Sequence, residues 1–424
     1  MRLPGRITTV VTEVALIAAV LSVMAVLTGC GGTPEDTATT EPTATSATSV
    51  GPSTSSPPAT SQTSATTATS PPSTLVEAGY RATTVITGLR VPWEMRFLPD
   101  GRLLITEREG RLVLADVTTG VTTEVGRIDV AARGEAGLMG LALDPAFPET
   151  PTLYMTYTYS DGSTDYNRVS RFELIDLPSS SPRLGRETVL VDDISAGPIH
   201  DGSRVAFGPN GHLWVTMGDA GDGTRAQRKD SLSGKVLRMT SEGLPSADNP
   251  FLDLPYPFSL IYSWGHRNPQ GLAFHPQTGA AYITEHGPSD NDEVNRLQPG
   301  GNYGWPDLGG KAGRAGFVDP IVAWTPTIAP AGCLFYSGSV LPEMRGAFLF
   351  VTLKDSDLRV LVPTDVGDFR AVAEERILFD NRFGRLRAIT QGPDGALYIA
   401  TSNHDGRGRP GPLDDQIIRI DAAH

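Results

Sequence analysis

The segment FGPNGHLWVTMGD (residues 207–219) joins a turn signal to a short strand, and the same phrase recurs along the chain. Its Pro-Asn-Gly sequence sets a tight turn, and the β-branched and aromatic residues after it favour a strand that ends in Thr. One copy, RGAFLFVTLKD (residues 345–355), lacks the Pro-Asp-Gly type of turn. The repeated strands are centred on Ile105, Met155, Val215, Ile283, Val351 and Ile399, at spacings of 48 to 68 residues.

Six units of this size, without convincing amphipathic helices between them, predict an all-β fold: a six-bladed β-propeller with four-stranded antiparallel blades. A β-sandwich or barrel with coincidental repeats is the alternative. In a propeller the loops of different blades meet at one mouth of the central axis, so polar residues just after the repeated strands are expected to converge. These residues are Glu107, Arg108, Gly218, Asp219, Glu285, His286, Lys354, Asp355, Asn403 and His404.

The N-terminus is typical of an export signal rather than of a folded domain. Arg2 and Arg6 precede an apolar run over residues 15–27, and Leu-Thr-Gly then leads directly to Cys30. A positive start, an apolar centre and small residues at a cleavage site indicate a signal peptide. The Leu-Thr-Gly-Cys sequence resembles the lipobox of bacterial lipoproteins, which implies a signal over residues 1–29 and lipidation of Cys30. A plain secretory signal is the alternative.

Residues 31–75 contain 14 Thr, 9 Ser and 7 Pro, and no aromatic, Lys or Arg residue. Such a composition buries too little apolar surface to offset the entropy of ordering, so we predict a disordered tether over residues 30–75 and a folded domain over residues 76–424. The expected location is the outer face of the cell membrane, reached only through the lipid anchor. The net charge of −13 argues against a nucleic-acid partner, which requires a basic surface.

Two segments that precede blade strands carry candidate catalytic side chains. The motif IHDGSRVAFGPNG places His200 before one strand of a hairpin and Asp219 follows the other, so these side chains are expected to meet across the blade. A carboxylate that fixes the tautomer of a His raises its basicity for proton abstraction. The motif GHRNPQGLAFHP puts Arg267 and Asn268 in the corresponding place of the next blade. The alternatives are a turn His with a loop-capping Asp, and an Arg that pairs with blade carboxylates.

The stretch TEHGPSDNDEVN (residues 284–295) concentrates four acidic side chains around a Gly-Pro turn. Carboxylates and free backbone carbonyls suit a hard cation such as calcium, which prefers about six to eight oxygen ligands. The spacing does not match an EF-hand loop, and scattered His residues without Cys ligands disfavour zinc. A solvated loop is the alternative reading. Further cations stand at strand ends, at Lys354, Arg385 and Arg387; the last two share one face of a strand, either toward the mouth or at a solvated edge.

Signatures of several other enzyme classes are absent from the sequence. It contains no GxxxxGK[ST], HExxH, CxxC or GxSxG motif. The motif GRGRPG (residues 406–411) is not placed between a strand and a helix, so it is no dinucleotide fingerprint. These absences argue against a P-loop enzyme, a zinc protease of that type and a serine hydrolase.

Nine motifs, taken in order, resemble the soluble PQQ-dependent sugar dehydrogenases, a group that includes the glucose and aldose sugar dehydrogenases. They extend from about residue 88 to residue 420: VPWEMRFLPDGRLLITER, GEAGLMGLALDPAF, HDGSRVAFGPNG, GKVLRM with DNPF, GHRNPQGLAFHP, TEHGPSDNDEVN, GGNYGWP, TPTIAPAG, and GRLRAI with QGPDGALYIAT. The resemblance implies a six-bladed propeller that oxidises the anomeric carbon of an aldose sugar. It further implies proton abstraction and hydride transfer to PQQ with the assistance of calcium; the electron acceptor is left open.

The resemblance also implies roles for single residues. His200 would be the general base, Asp219 would orient it, and Arg267 would stabilise negative charge on the quinone oxygens. The implied cofactor-binding residues are Glu135, His200, Arg267, Asn268, His286, Thr327, Lys354, Arg385 and Arg387. The implied calcium ligands are the backbone carbonyls of Gly287 and Pro288 for a catalytic ion, and Glu293 with the carbonyl of Tyr303 for a structural ion.

Three positions depart from the glucose dehydrogenase pattern. Ile199 stands where those enzymes have an Asp, His286 where they have a Gln, and Thr325 where an aromatic residue is expected. These departures bear on which sugar is accepted. Two alternatives to the enzyme are a lipid-tethered propeller that binds a sugar, glycan or envelope partner without turnover, and a calcium-dependent lactonase-like hydrolase. The hydrolase would require carboxylates from several blades around one metal on the axis, whereas the acidic residues of this chain cluster in one loop.

Overall fold

The computed structural model describes residues 73–177, 179 and 181–423. The predicted signal peptide, Cys30 and nearly all of the predicted tether lie outside the described residues. Among the described residues, no helix combines the length and the hydropathy that crossing a membrane requires.

The described chain is almost entirely β-strand. β1 (Thr74–Glu77) and β2 (Tyr80–Ile86) precede the first blade. Blade 1 consists of β3 Pro92–Phe97, β4 Leu103–Glu107, β5 Arg111–Ala115 and β6 Thr122–Arg127. Blade 2 consists of β7 Leu138–Leu143, β8 Thr152–Ser160, β9 Asp165–Ile175 and β10 Arg183–Ser195. Blade 3 consists of β11 Gly202–Phe207, β12 Leu213–Met217, β13 Lys235–Met239 and β14 Ile261–Trp264.

The second half of the chain continues the pattern. Blade 4 consists of β15 Pro269–Phe274, β16 Ala281–Glu285, β17 Asp292–Arg296 and β18 Val322–Trp324. Blade 5 consists of β19 Pro330–Phe335, β20 Phe348–Thr352, β21 Leu358–Pro363 and β22 Val372–Leu378. Blade 6 contains β23 Leu386–Gln391, β24 Leu397–Thr401 and β25 Ile417–Ala422. Short 3-10 helices occupy Gly223–Gln227, Phe258–Leu260 and Pro342–Met344.

The six sheets form a ring, which confirms the predicted six-bladed β-propeller. Each strand pairs antiparallel with the next one in its blade, and the first strand of every blade contacts the first strand of the neighbouring blades. The strand that the sequence repeats is the second of each blade, not the innermost one. Each turn signal therefore connects the inner strand to the second strand, at the face of the ring opposite the mouth.

Blade 6 is completed by the N-terminal end of the fold. β2 pairs antiparallel with β25, and β1 pairs with β2, so the first and last strands of the domain share one sheet. Ile86 of β2 is fully buried in a hydrophobic cluster with Met95 of blade 1 and Tyr398 of blade 6. This pairing closes the ring without a covalent link, and the repeat pattern gave no sign of it.

The repeated Thr has a structural reason in blades 1 to 4, where it hydrogen-bonds to the next blade. The Thr216 hydroxyl accepts from the backbone N–H of Arg204 in its own inner strand (3.0 Å) and donates to the carbonyl of Pro269 in blade 4 (3.0 Å). Thr156 makes the equivalent pair of bonds, donating to the carbonyl of Ser203 at 2.6 Å. Thr106 and Thr284 likewise donate to inner-strand carbonyls of the next blade. A buried hydroxyl at this place satisfies backbone groups of two blades at once.

Candidate active site

The mouth of the propeller lies where each inner strand begins and each second strand ends. His200 stands just before β11 and Asp219 just after β12, while Arg267 and Asn268 precede β15. Antiparallel pairing puts these strand ends side by side. Side chains that are separated by up to about seventy residues in sequence therefore meet at one place, as the repeat pattern predicted.

His200 and Asp219 form a hydrogen-bonded pair. Nδ1 of His200 lies 2.8 Å from Oδ1 of Asp219. Since a carboxylate only accepts, Nδ1 carries the proton and Nε2 keeps its lone pair. Asp219 is buried, and it also accepts hydrogen bonds from the backbone N–H of Gly221 (2.8 Å) and from the indole Nε1 of Trp305 (2.7 Å). The predicted contact between the two side chains is thus present, and three donors hold the carboxylate that orients the ring.

The guanidinium of Arg267 points at the Gly-Pro turn after β16. Its NH1 donates to the backbone carbonyls of His286 (3.2 Å) and Gly287 (2.7 Å). The central carbon of the guanidinium, Cζ, lies 5.2 Å from the ring centre of Trp305. The Nε atom is buried and has no hydrogen-bond partner among the described residues. Burial lowers the pKa of Arg267 below its ordinary value. The mouth thus contains a desolvated cation whose Nε–H donates to none of the described residues.

Glu135 connects blade 2 to blades 3 and 4. Its Oε2 accepts from the backbone N–H of His200 (3.0 Å) and from Nδ2 of Asn268 (3.1 Å), while Oε1 accepts from Arg407 (3.0 Å). Burial opposes ionisation, but the positive charge that His286 carries when it is protonated, the hydrogen bond from the His200 N–H and the charge of Arg407 hold the pKa of Glu135 below its ordinary value. Glu135 is therefore an ionised side chain that fixes the backbone of His200.

His286 occupies the wall between blades 4 and 5. Its Nε2 lies 2.9 Å from the carbonyl oxygen of Pro330, so Nε2 is the donor and Nδ1 is left as an acceptor in the neutral ring. Desolvation lowers the pKa of His286, which favours that neutral form.

Asp292 ties the Gly-Pro turn to the turn that holds Thr327. Its Oδ1 accepts from the backbone N–H of Gly287 (2.7 Å), and its Oδ2 accepts from the backbone N–H groups of Ile328 and Ala329 (both 2.6 Å). The hydroxyl of Thr327 accepts a hydrogen bond from Nζ of Lys354 at 2.8 Å. Asp292 is thus a brace that positions two predicted binding segments.

Arg385 and Arg387 share one carboxylate, as expected for cations on the same side of a strand. Nε of Arg385 lies 2.7 Å from Oδ2 of Asp405, and NH2 of Arg387 lies 3.9 Å from the same atom. Arg387 also donates to Ser402 and to the side-chain oxygen of Gln270. Burial lowers the pKa of Arg387 to about 10, so it stays charged at neutral pH. These cations belong to the interior of the mouth and not to a solvated edge.

Two cavities meet at Arg267. One measures about 230 Å³ and is lined by Glu135, His200, Arg267, Asn268, His286 and Thr327, together with Ile199 and Arg407. Six of the nine predicted cofactor-binding residues thus face one space. Lys354, Arg385 and Arg387 do not line it, but Lys354 touches its wall through Thr327.

The second cavity measures about 190 Å³ and is acidic. All four predicted calcium ligands line it, namely Gly287, Pro288, Glu293 and Tyr303, and so do Glu285, Asp290 and Asp307. Burial and the neighbouring Glu285 raise the pKa of Glu293 to about 7. Among the described residues, no group of three or more His, Cys, Asp or Glu side chains has a metal-binding arrangement. Any ion here would therefore depend on backbone carbonyls as well.

The geometry of the mouth can be compared with known proteins. Residues 89–417 match the sequence model of the family described as Glucose / Sorbosone dehydrogenase. The chain belongs to this family. Membership agrees with the resemblance inferred from the nine motifs, and it makes the chain a dehydrogenase-type oxidoreductase.

Named members of the family cover nearly the whole folded part. The aldose sugar dehydrogenase of Escherichia coli is 32% identical over 343 residues, which span 74% of this chain and 88% of that protein. A solved structure of an oxidoreductase from Thermus thermophilus, described as a glucose dehydrogenase, is 41% identical with a TM-score of 0.73, covering 81% of this chain and all of that one. The PQQ-bound aldose sugar dehydrogenase from Streptomyces coelicolor is 34% identical with a TM-score of 0.72, covering 82% of this chain and 99% of that one.

In this member of the family, some residues of the mouth were not identified from sequence. Trp305 lies inside a quoted motif, but its bond to Asp219 depends on a loop that returns from blade 4. Asp405 and Arg407 come from the loop between β24 and β25, where the sequence offers only a glycine-rich stretch. Asp292 lies in the acidic stretch after β16, and its hydrogen bonds to the backbone of two turns were not identified from the sequence. Only the adjacency of GRGRPG to the last repeat could have drawn attention to Arg407.

Proposed function

We propose that this propeller is a quinoprotein that oxidises the anomeric carbon of an aldose sugar, with PQQ as the bound cofactor and calcium as its partner ion. The observation that carries the proposal is that His200, which buried Asp219 orients, lines one cavity of the mouth together with Arg267. Membership of the sugar dehydrogenase family and the PQQ-bound relative support it.

The His200 ring is set up to take a proton from the sugar. Its Nδ1–H is held by Asp219, so the lone pair on Nε2 is available to the anomeric hydroxyl. When the O–H proton moves to Nε2 and the C1 hydride leaves with its electron pair, the C1–O bond becomes a carbonyl and the product is a lactone. The positive charge on the ring is then balanced by buried Asp219.

The residues of the mouth fit a planar cofactor with several carboxylates. Arg267 has a buried Nε that no described residue hydrogen-bonds, and Asn268 and Thr327 offer polar groups. Positive charge is supplied by Lys354, Arg385 and Arg387. When bound, PQQ supplies a quinone that accepts the hydride. Arg267 would stabilise negative charge on the quinone oxygens, since a preorganised guanidinium acts strongly in a desolvated site.

The acidic cavity fits a hard cation. The carbonyls of Gly287 and Pro288 and the carboxylate of Glu293, with Tyr303, would hold calcium, and the raised pKa of Glu293 reflects buried negative charge that a cation would offset. The carbonyl of Gly287 now accepts from Arg267, so a positive charge already sits at that oxygen. Calcium would supply Lewis acidity to the quinone.

Reconstitution tests the proposal. The purified chain is mixed with calcium and PQQ, and dye reduction is followed with a panel of aldoses. We expect turnover with at least one sugar, and we expect His200→Ala to lose turnover by about a hundredfold or more while the absorbance of bound PQQ is kept. Failure to bind PQQ and to reduce the dye with every sugar would favour a non-catalytic sugar-binding propeller. An unchanged rate in His200→Ala would contradict the assigned base.

We also propose that the protein is a lipoprotein held on the outer face of the cell membrane by Cys30. The Leu-Thr-Gly-Cys sequence and the Thr/Ser/Pro-rich segment after it support this location. Labelling with an alkyne fatty acid should mark the wild-type chain and not Cys30→Ser, and the variant should leave the membrane fraction. Equal labelling of both chains would contradict it.

A further inference from the structure

A cleft between blades 3 and 4 opens on the face opposite the mouth. Its walls include the β11–β12 turn at Asn210 and the β15–β16 turn at Thr278, which are the far ends of the hairpins that carry His200 and Asp219 and, in the next blade, Arg267. Its volume is about 860 Å³, several times that of either cavity at the mouth. Pockets for small ligands generally measure about 300 to 1,000 Å³, so this cleft has room for a short oligosaccharide.

The charged residues of the cleft are all positive. Arg238, Arg296 and Arg370 line it, and no Asp or Glu of the described residues does. Just behind the lining, Asp368 is shared by two of the arginines, at 3.7 Å from Arg296 and in contact with Arg370. Because one carboxylate faces two guanidinium groups, this wall of the cleft carries a net positive charge. The chain as a whole has a net charge of −13.

The arginines retain donors for a ligand. Arg296 and Arg370 both direct Nε at Asp368, and their terminal NH1 and NH2 groups make no hydrogen bond to the described residues. Arg238 donates to Asn249 through Nε (2.8 Å) and to Asp248 through NH2 (2.6 Å), and its NH1 has no such bond to the described residues. Planar guanidinium groups bind carboxylates through paired hydrogen bonds.

The rest of the lining suits a sugar ring. Tyr262 and Phe274 are partly exposed, and both pack against Trp214, at ring-centre distances of 4.4 and 5.6 Å. Trp214 lines the cleft and its indole N–H has no hydrogen-bond partner among the described residues. Aromatic faces cover the apolar C–H surface of a sugar ring, while the rim amides of Asn210 and Gln298 can bond its hydroxyl groups.

We propose that this cleft is a second binding site, for a saccharide that carries carboxylate groups. It is distinct from the mouth, where a neutral aldose would react, and it does not depend on the quinone chemistry. Such a site would hold the enzyme on, or near, acidic polysaccharide while the mouth stays free.

Calorimetric titration of the purified chain, without PQQ, tests the site. Trigalacturonate is the probe, and its methyl ester, which lacks the negative charges, is the matched neutral sugar. We expect trigalacturonate to bind, the ester to bind at least tenfold more weakly, and the double variant Arg296→Gln/Arg370→Gln to lose affinity for trigalacturonate by tenfold or more. His200→Ala should bind as the wild type does, which separates this site from the mouth.

Arg186→Gln is the control for loss of a surface charge, because Arg186 pairs with Glu173 on blade 2, away from the cleft. It should leave the affinity unchanged, and thermal melts should show that all variants are folded. The proposal is overturned if the wild type does not bind trigalacturonate at millimolar concentration, or if the double variant binds it equally well. Sulfate competing as effectively as trigalacturonate would indicate a simple anion site and would likewise overturn it.

Discussion

His200 can act as a base only while its ring keeps one orientation, and at the scale of the residue that depends on Asp219. The Asp219 carboxylate accepts from Nδ1–H, from Gly221 and from Trp305. An Asn at position 219 has one accepting oxygen and one donating amide, so it cannot satisfy the donors on both sides of the group. The loss of orientation and of charge balance should then appear in the chemical step.

Asp219→Asn is therefore expected to lower kcat for sugar oxidation by about a hundredfold or more, with PQQ affinity retained, because the change acts on proton abstraction. Steady-state kinetics and a PQQ titration measure the two effects. Asp222→Asn is the matched control, since Asp222 is nearby, partly exposed and caps a short helix that Asn caps equally well. Equal kcat in Asp219→Asn and wild type would contradict the role of this carboxylate.

Asp201, next to the base, predicts a pH dependence of stability. Burial, with Glu135 and Asp165 adding to it, raises its pKa to about 7, and its Oδ2 has no partner among the described residues. The unfolded carboxyl titrates near its ordinary value of about 3.8, so the folded state holds an extra proton between about pH 4 and pH 7. The stability from this group is full below about pH 4 and is lost as pH rises through 7.

Asp201→Asn removes that titration, because it replaces the buried carboxyl group with an amide that stays uncharged at every pH. The free energy of unfolding of the wild type should fall between pH 4 and pH 7, while that of the variant should not. The difference between the two proteins should therefore grow by as much as about 4 kcal/mol over this range and stay constant above pH 8. Urea titrations at pH 5, 6, 7 and 8 measure it. The exposed Asp129→Asn should follow the wild-type curve. A difference that does not change with pH would show that Asp201 is ionised throughout.

At the scale of the element, the hairpins are held to one another by the repeated Thr. Thr216→Val keeps the shape but removes a buried hydroxyl that satisfies Arg204 N–H and the carbonyl of Pro269. We expect the free energy of unfolding to fall by about 1 to 3 kcal/mol, because a buried donor and acceptor lose their partners. Denaturant midpoints measure the change. Thr122→Val, on the exposed outer strand of blade 1, should change stability by less than about 0.5 kcal/mol. An unchanged free energy of unfolding in Thr216→Val would show that the hydrogen bonds between blades make no net contribution to stability.

The hairpins were also the part of the structure that sequence predicts best. A turn signal followed by alternating apolar residues is local, so each unit and the resulting six-bladed ring could be inferred. The His200–Asp219 contact followed, because both residues flank one such hairpin. The closure by β2 and the bond from Trp305 to Asp219 could not be inferred, since strand pairing across the termini and long loop returns leave no local pattern. A local repeat also does not say which strand of a blade lies next to the axis, so the repeated strand was not recognised as the second of its blade.

At the scale of the whole molecule, the mouth is assembled from blades 2 to 6, and a bound cofactor would connect them. Glu135 comes from the entry to blade 2, His200 from blade 3, Arg267 from blade 4, Lys354 from blade 5 and Arg387 from blade 6. A ligand that contacts all of these residues binds only the closed ring. Its binding energy therefore adds to the stability of the whole fold rather than of one blade.

PQQ with calcium should accordingly raise the Tm of the apoprotein. At a hundredfold excess over Kd the added stability is about 2.7 kcal/mol, which for a folded part of about 350 residues corresponds to about 3 to 4 °C. Arg387→Met should lose most of this shift, because it removes a buried positive charge from the mouth, whereas Arg370→Met, on the opposite face, should keep it. Differential scanning calorimetry with and without PQQ compares the shift within each variant, so a lower starting Tm does not confuse the result. An identical Tm with and without saturating PQQ would show that the cofactor does not bind the folded ring.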